Sequence, residues 1–127
     1  PEKEINIINT FLEILKKDKQ RKIVITEYNF FSSLLEEKLY SPSRTYDNIS
    51  YPLTNNMYFE TYNKFFKTNI IKNKIKNIYV FYPKYKMTNN YLDHVVFNYL
   101  PNDCYESQKL NIYINKIVLK KCNYLIK

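Results

Sequence analysis

Side chains that could bind a sugar or a phosphate group follow the first predicted strand and fill the long segment after it. They are Glu27, Tyr28, Arg44, Tyr46, Asp47 and Tyr51, joined by Lys84 after the second predicted strand. A guanidinium binds phosphate or carboxylate, an aromatic face stacks on a sugar ring, and a carboxylate accepts hydrogen bonds from hydroxyls. In a purely structural interpretation, Arg44 instead pairs with Asp47 or Glu27 and holds the loop.

Catalytic motifs are scarce in this chain. It contains no glycine, so phosphate-cradling loops of the P-loop or dinucleotide type are excluded. A Ser/His/Asp or Cys/His arrangement would depend on His94, the single histidine. The carboxylate pairs Glu27 with Asp47 and Glu36 with Glu37 are of a kind that arises by chance in most domains. We therefore expect no catalytic centre and no cofactor.

Two cysteines, Cys104 and Cys122, have neither the spacing nor the companion histidines of a zinc site, so no metal is expected. If residues 104–110 pair with 116–122 in a hairpin centred near Tyr113, the two cysteines face each other within reach of a disulfide. Ile112-Tyr113-Ile114 is a poor turn sequence, which counts against this hairpin. The alternative is two separate buried thiols.

The formal net charge of +8 raises the question of an acidic partner such as nucleic acid or an anionic membrane. The lysines are spread along the whole chain. The densest run, residues 16–22, lies between a predicted helix and a predicted strand, which indicates a solvated turn. Tyr79 and Phe81 with Lys74 and Lys76 superficially combine stacking rings with cations. That strand is apolar on both faces, so nucleic-acid binding is the less favoured interpretation.

Hydrophobic spacing predicts the elements that position these residues. Helical spacing is found in Ile5, Ile8, Leu12 and Leu15, then in Phe30, Phe31, Leu34 and Leu35, and again in Tyr58, Tyr62, Phe65, Phe66 and Ile70 up to about Lys72. Continuous β-branched or aromatic runs predict strands at Lys22–Glu27, Ile75–Tyr82 and Ile117–Leu119. A long loop is predicted from Leu39 to Thr54, and a short helix from Tyr91 to Leu100.

The order strand, helices, strand predicts an α/β fold: a small, mostly parallel open sheet with helices on both faces and a possible antiparallel C-terminal hairpin. The length suits a single domain over residues 1–127. Ligands of such sheets bind beyond the carboxyl ends of the strands, here near Thr26–Tyr28 and Pro83–Tyr85. The sequence has no membrane span or signal peptide, so we expect a soluble domain; starting at Pro1 without Met, it is expected to be cut from a larger protein.

The helix, basic turn and buried strand lead into Glu27-Tyr28-Asn29-Phe30-Phe31 and then Leu39-Tyr40-Ser41-Pro42-Ser43-Arg44-Thr45-Tyr46-Asp47. Over roughly Glu4 to Tyr82 this order of elements, with its Ser-Pro-Ser-Arg-Thr-Tyr-Asp loop, resembles the C-terminal extramembrane domain of bacterial multi-spanning glycosyltransferases of the GT-C type, similar to dolichyl-phosphate-mannose-protein mannosyltransferases. The resemblance rests on no catalytic motif.

The resemblance implies that the catalytic acidic residue lies in the loop after the first membrane span of a parent enzyme, outside this chain. The domain would then be a non-catalytic accessory domain that contacts the transmembrane portion of its parent and aids recognition of a saccharide or phosphate-bearing ligand. It also implies a location on the periplasmic face of a bacterial membrane. Without the resemblance, a cytoplasmic location and a free-standing basic domain that binds nucleic acid or another partner remain the alternatives.

Overall fold

The computed structural model describes residues 2–26, 28, 30–40, 55–82, 96 and 98–122. Its elements are α1 (Glu2–Lys17), β1 (Lys22–Thr26), α2 (Phe31–Leu35), α3 (Phe59–Lys72), β2 (Asn77–Phe81), a 3-10 turn (Asn102–Cys104), β3 (Tyr105–Lys109) and β4 (Ile114–Leu119). The helices and strands predicted before residue 82 are therefore present. Most of the predicted loop and most of the predicted helix at Tyr91–Leu100 lie outside the described residues.

The described strands form one four-stranded sheet in the order β1-β2-β4-β3. The predicted parallel pair is present, because β1 and β2 run side by side with Ile23 opposite Ile78. The expectation of a mostly parallel sheet is wrong: β4 is antiparallel to both β2 and β3. For β3 and β4 the physical reason is their connection, which spans only residues 110–113 and can therefore join only antiparallel neighbours. As β4 also pairs with β2 in the antiparallel sense, two of the three described pairings are antiparallel.

Helices cover both faces of the sheet, as predicted. On one face, Phe66 and Ile70 of α3 pack with Ile23, Ile78 and Ile117. On the other face, α1 and α2 contribute Phe11, Leu15 and Phe31, which pack with Val24, Tyr79, Phe81 and Ile114. Alternate residues of each strand thus enter different cores, which explains why the sequences of β1 and β2 are continuously apolar.

The position of β1 differs from the sequence-based expectation. The run Ile23-Val24-Ile25 predicts a central strand, yet β1 lies at the edge of the described sheet. All five of its residues are nonetheless buried. Helices cover its two faces, and the segment after α2 closes the start of its outer edge, where the Tyr40 backbone N–H donates to the Lys22 carbonyl over 3.3 Å. Burial on both faces was predicted correctly, but it did not require a central position.

The C-terminal hairpin brings the cysteines together in a register different from the expected one. Cys104 and Cys122 form a disulfide with a Cα–Cα distance of 5.2 Å. Tyr105 is opposite Leu119, and the Lys120 N–H donates to the Cys104 carbonyl, so the bond runs diagonally across the hairpin. The turn is stabilised by the Asn111 side chain, whose oxygen accepts from the Tyr113 N–H at 2.8 Å.

Candidate functional site

Most of the site predicted at the carboxyl ends of β1 and β2 lies outside the described residues. This holds for Glu27, Arg44, Tyr46, Asp47, Tyr51 and Lys84. Tyr28 is described, and its hydroxyl donates to a carboxylate oxygen of Glu4 in α1. Its ring packs against Phe30 and Phe31. In the described part of the chain, Tyr28 therefore joins α1 to the segment that leads into α2.

The adjacent carboxylates Glu36 and Glu37 have separate structural roles. Glu36 ends α2 in the left-handed conformation with φ 51°. Glu37 accepts a hydrogen bond of 2.7 Å from the ammonium of Lys22, a side chain with no exposed surface. An ion this deeply buried needs an opposite charge beside it. Glu37 is therefore the counter-ion of Lys22, and the pair does not form a two-carboxylate acid–base site.

Asp18 is the centre of a polar network at the amino-terminal end of the parallel pair. One carboxylate oxygen accepts from the Asn77 amide at 2.8 Å and from the Tyr79 hydroxyl at 2.7 Å. The other accepts from the Gln20 backbone N–H at 2.9 Å. These bonds attach the turn after α1 to the first residues of β2, so the end of α1 and the start of the sheet are held together.

Titration of this network follows from its contacts. Partial burial raises the pKa of Asp18, but the hydrogen bonds from Tyr79, Gln20 and Asn77 and the charge of Lys22 together outweigh it and leave the pKa below its ordinary value. Burial, then the hydrogen bond to Asp18 and its charge, raise the pKa of Tyr79. Asp18 therefore stays ionised and Tyr79 neutral, with the carboxylate already occupied by three donors. This arrangement suits a structural anchor better than a general base.

A cluster of basic residues occupies the same end of the sheet on the side of α3. Lys74, Lys76, Lys120 and Lys121 line one hollow of about 240 Å³, whose walls are completed by Ile70, Ile71, Ile75 and Leu119. No carboxylate is among the described residues that line it. Four positive charges around one concavity produce a positive potential that attracts anions.

Backbone pairing brings these lysines together. The Lys76 N–H donates to the Arg21 carbonyl and the Leu119 N–H donates to the Lys76 carbonyl, both over 3.0 Å. The chain segments before β1, before β2 and after β4 consequently meet at one end of the sheet. The Arg21 guanidinium donates to the Asn73 carbonyl at 3.2 Å. We call this end the basic pole; it consists of Arg21, Lys74, Lys76, Lys120 and Lys121.

Charge at the basic pole is weakly compensated. Glu106 lies 3.9 Å from the Lys120 ammonium, but both side chains are more than half exposed, and such pairs contribute little. The amino-terminal end of α1, which carries Glu2 and Glu4, lies at the other end of the sheet, since the carboxyl end of α1 leads into Asp18 beside Asn77. Asp18 lies at the same end as the pole but is engaged by Tyr79, Gln20 and Asn77, so the fold separates only part of the charge along the strands.

Sequence reasoning missed the basic pole because its residues come from three distant segments. A signal was present in Lys74 and Lys76, which flank the first residue of one predicted strand, and in Lys120 and Lys121, which immediately follow another. These pairs coincide in space only if the two strands are antiparallel neighbours, as β2 and β4 are. A parallel arrangement of the same two strands would place them at opposite ends of the sheet.

Comparison with known proteins finds no matching family model, no matching curated protein and no matching solved structure. Within the described residues there is no group of three His, Cys, Asp or Glu side chains placed to hold a metal ion. Among the helices that the structure describes, none has the length and hydrophobicity needed to cross a membrane. The candidate site therefore rests on the geometry and charge of the basic pole.

Proposed function

We propose that this chain is a non-catalytic binding domain that holds an anionic, phosphate-bearing ligand at its basic pole. The observation that carries the proposal is the hollow lined by Lys74, Lys76, Lys120 and Lys121 with no carboxylate among its described lining residues. Lysine is a flexible point charge with three donors, which suits recognition of phosphate groups without a fixed orientation. The sequence also led us to expect a saccharide or phosphate-bearing ligand, but at the carboxyl ends of β1 and β2, which is the other end of the sheet.

We further propose that the domain works outside the cytoplasm, as an accessory domain of a membrane glycosyltransferase of the type it resembles. The disulfide between Cys104 and Cys122 supports the location, since such bonds persist mainly in oxidising compartments. The transmembrane portion of the parent enzyme would belong to the same polypeptide chain and would be the partner that this domain contacts. Expressing the chain with and without an export signal tests the premise of this location: the hairpin should be oxidised after export and reduced when the chain stays in the cytoplasm. A disulfide that forms equally in both compartments would remove this support.

An NMR titration of the isotope-labelled chain with inorganic diphosphate tests the binding site. We expect amide shifts concentrated at residues 74–76 and 119–121, because these backbone groups surround the hollow. Lys3 in α1 and Lys109 at the end of β3 far from the pole serve as internal controls and should not shift. A parallel titration with sodium chloride at equal ionic strength removes general salt effects. Shifts spread evenly over the lysines, or none, would contradict the proposal.

Nucleic-acid binding is the second candidate, and the basic pole is the observation that favours it. Single-strand binders combine cations with exposed stacking rings. Tyr79 and Phe81 of β2 have at most 1% of their surface exposed, so the strand provides no such platform, whereas Tyr58 and Phe65 in the region of α3 are exposed. Fluorescence anisotropy with a labelled oligonucleotide decides between the two candidates: tight binding with a steep logarithmic salt dependence would favour nucleic acid over a small phosphate ligand.

A further inference from the structure

We infer that the basic pole and the adjoining outer flank of α3 form one surface that docks on an anionic lipid bilayer. This inference rests on the proposed function, because it names phospholipid head groups as the source of the phosphate. Three features support it: the continuity of the charged surface, the exposed apolar side chains along α3, and the kind of cation that the surface presents.

The charged surface continues from the pole along α3. Ile71 lines the hollow of the basic pole and also a second hollow of about 320 Å³ on the flank of α3. The other described residues of the second hollow are Lys64, Lys67, Thr68 and Lys72. Seven lysines thus border two adjacent depressions, and again no carboxylate is among their described lining residues. An extended cationic surface matches a plane of head groups better than one compact anion.

Exposed apolar side chains lie on the outer side of the same helix. Phe65 is 56% exposed, and Tyr58, seven residues earlier and on the same side of the helix, is 62% exposed. Met57, just before the helix, is 82% exposed. Aromatic and apolar residues next to lysines are typical of helices that lie in the interface between lipid head groups and acyl chains. Both kinds of contact can therefore form with one membrane surface.

The cations of this surface are suited to diffuse attraction. Its one described arginine, Arg21, donates from one guanidinium nitrogen to the Asn73 carbonyl, which leaves fewer of its donors for a phosphate. The lysines contribute point charges, and each one near an anionic leaflet strengthens binding roughly fivefold. Exposed charges are screened beyond about 10 Å at 0.1 M salt, so the attraction must weaken as salt is added.

Co-sedimentation with vesicles tests the inference on the 127-residue chain. We expect binding to vesicles of phosphatidylcholine with phosphatidylglycerol, little binding to pure phosphatidylcholine, and progressive release by salt. Lys76→Gln with Lys121→Gln should weaken binding about 25-fold, from roughly fivefold for each lysine. Lys3→Gln with Lys109→Gln removes the same charge from positions away from the pole and should leave binding within about twofold.

Two further variants separate this inference from the proposed function. Lys64→Gln with Lys67→Gln should weaken vesicle binding by a similar factor but leave the diphosphate titration unchanged, since these lysines lie outside the hollow of the pole. Phe65→Ala should weaken vesicle binding alone. Diphosphate binding without vesicle binding would overturn the inference and keep the proposed function, and loss of both would overturn both. Tight oligonucleotide binding by a chain that ignores anionic vesicles would also overturn the inference.

Discussion

Replacing both cysteines with alanine measures how much the disulfide stabilises the C-terminal hairpin. Cys104 and Cys122 are 18 residues apart, and cross-linking a loop of this size lowers the entropy of the unfolded chain by an amount worth about 3 kcal/mol at 25 °C. Both side chains are buried, so alanine is chosen over serine, whose hydroxyl would be placed in the core. We expect the double variant to unfold about 3 kcal/mol more easily in urea, followed by circular dichroism.

The wild-type chain provides an independent control for this prediction. Unfolding it in urea with a reductant breaks the same bond without any mutation, so its free energy of unfolding should agree with that of the double variant to about 1 kcal/mol. A domain of this size has an expected stability of roughly 5 to 15 kcal/mol, so both forms should still fold. The reasoning is refuted if reductant leaves the unfolding curve unchanged and mass spectrometry of unreduced protein finds two free thiols.

Three other predictions concern the packing and polar contacts that hold the fold together. Phe11→Ala should lower the free energy of unfolding by about 3 to 5 kcal/mol because Phe11 is fully buried. The control Ile5→Ala, at a 58% exposed position of the same helix, should change the free energy of unfolding measured in urea by less than about 0.5 kcal/mol. Glu37→Gln leaves the buried ammonium of Lys22 without its counter-charge and should cost about 1 to 3 kcal/mol in the same assay, whereas Lys22→Met should cost less; equal losses would contradict this. Asp18 has a lowered pKa in the fold, so its contribution to stability is present above the unfolded-state pKa of about 4 and is lost as pH falls through the folded-state value. When the free energy of unfolding is measured against pH, Asp18→Asn should remove that part of the acid-induced decrease. An unchanged pH profile would count against the network.

Local patterns predicted the elements that depend on neighbouring residues. The continuous apolar runs at Ile23-Val24-Ile25 and Ile78–Phe81 indicated strands buried on both faces, and they are. The helical spacing around Phe11 indicated a helix that packs on the sheet, and Phe11 is in the core. In each case the periodicity itself is set by which side chains must leave water, so the sequence carries the information directly.

Strand order and the candidate site depended on pairings between distant segments. A buried pattern does not say whether a strand is central, and β1 is buried at the sheet edge because helices and the segment near Tyr40 cover it. The expected register placed Cys104 opposite Cys122, whereas the observed one places Tyr105 opposite Leu119, a shift of two residues. The turn forms at residues 110–113, where the Asn111 side chain stabilises a sequence whose following residues are poor turn formers. The basic pole exists only because β4 is antiparallel to β2, and the sequence did not indicate the direction of the last strand relative to β2.

Lysine footprinting tests most directly whether the basic pole is the binding surface. The chain is acetylated with a water-soluble reagent, with and without vesicles that contain phosphatidylglycerol, and modification at each lysine is read by mass spectrometry. We predict that vesicles protect Lys74, Lys76, Lys120 and Lys121 several-fold, while Lys3 and Lys109 react equally in both conditions. Equal protection of all six lysines, or protection of Lys3 and Lys109 alone, would contradict the account.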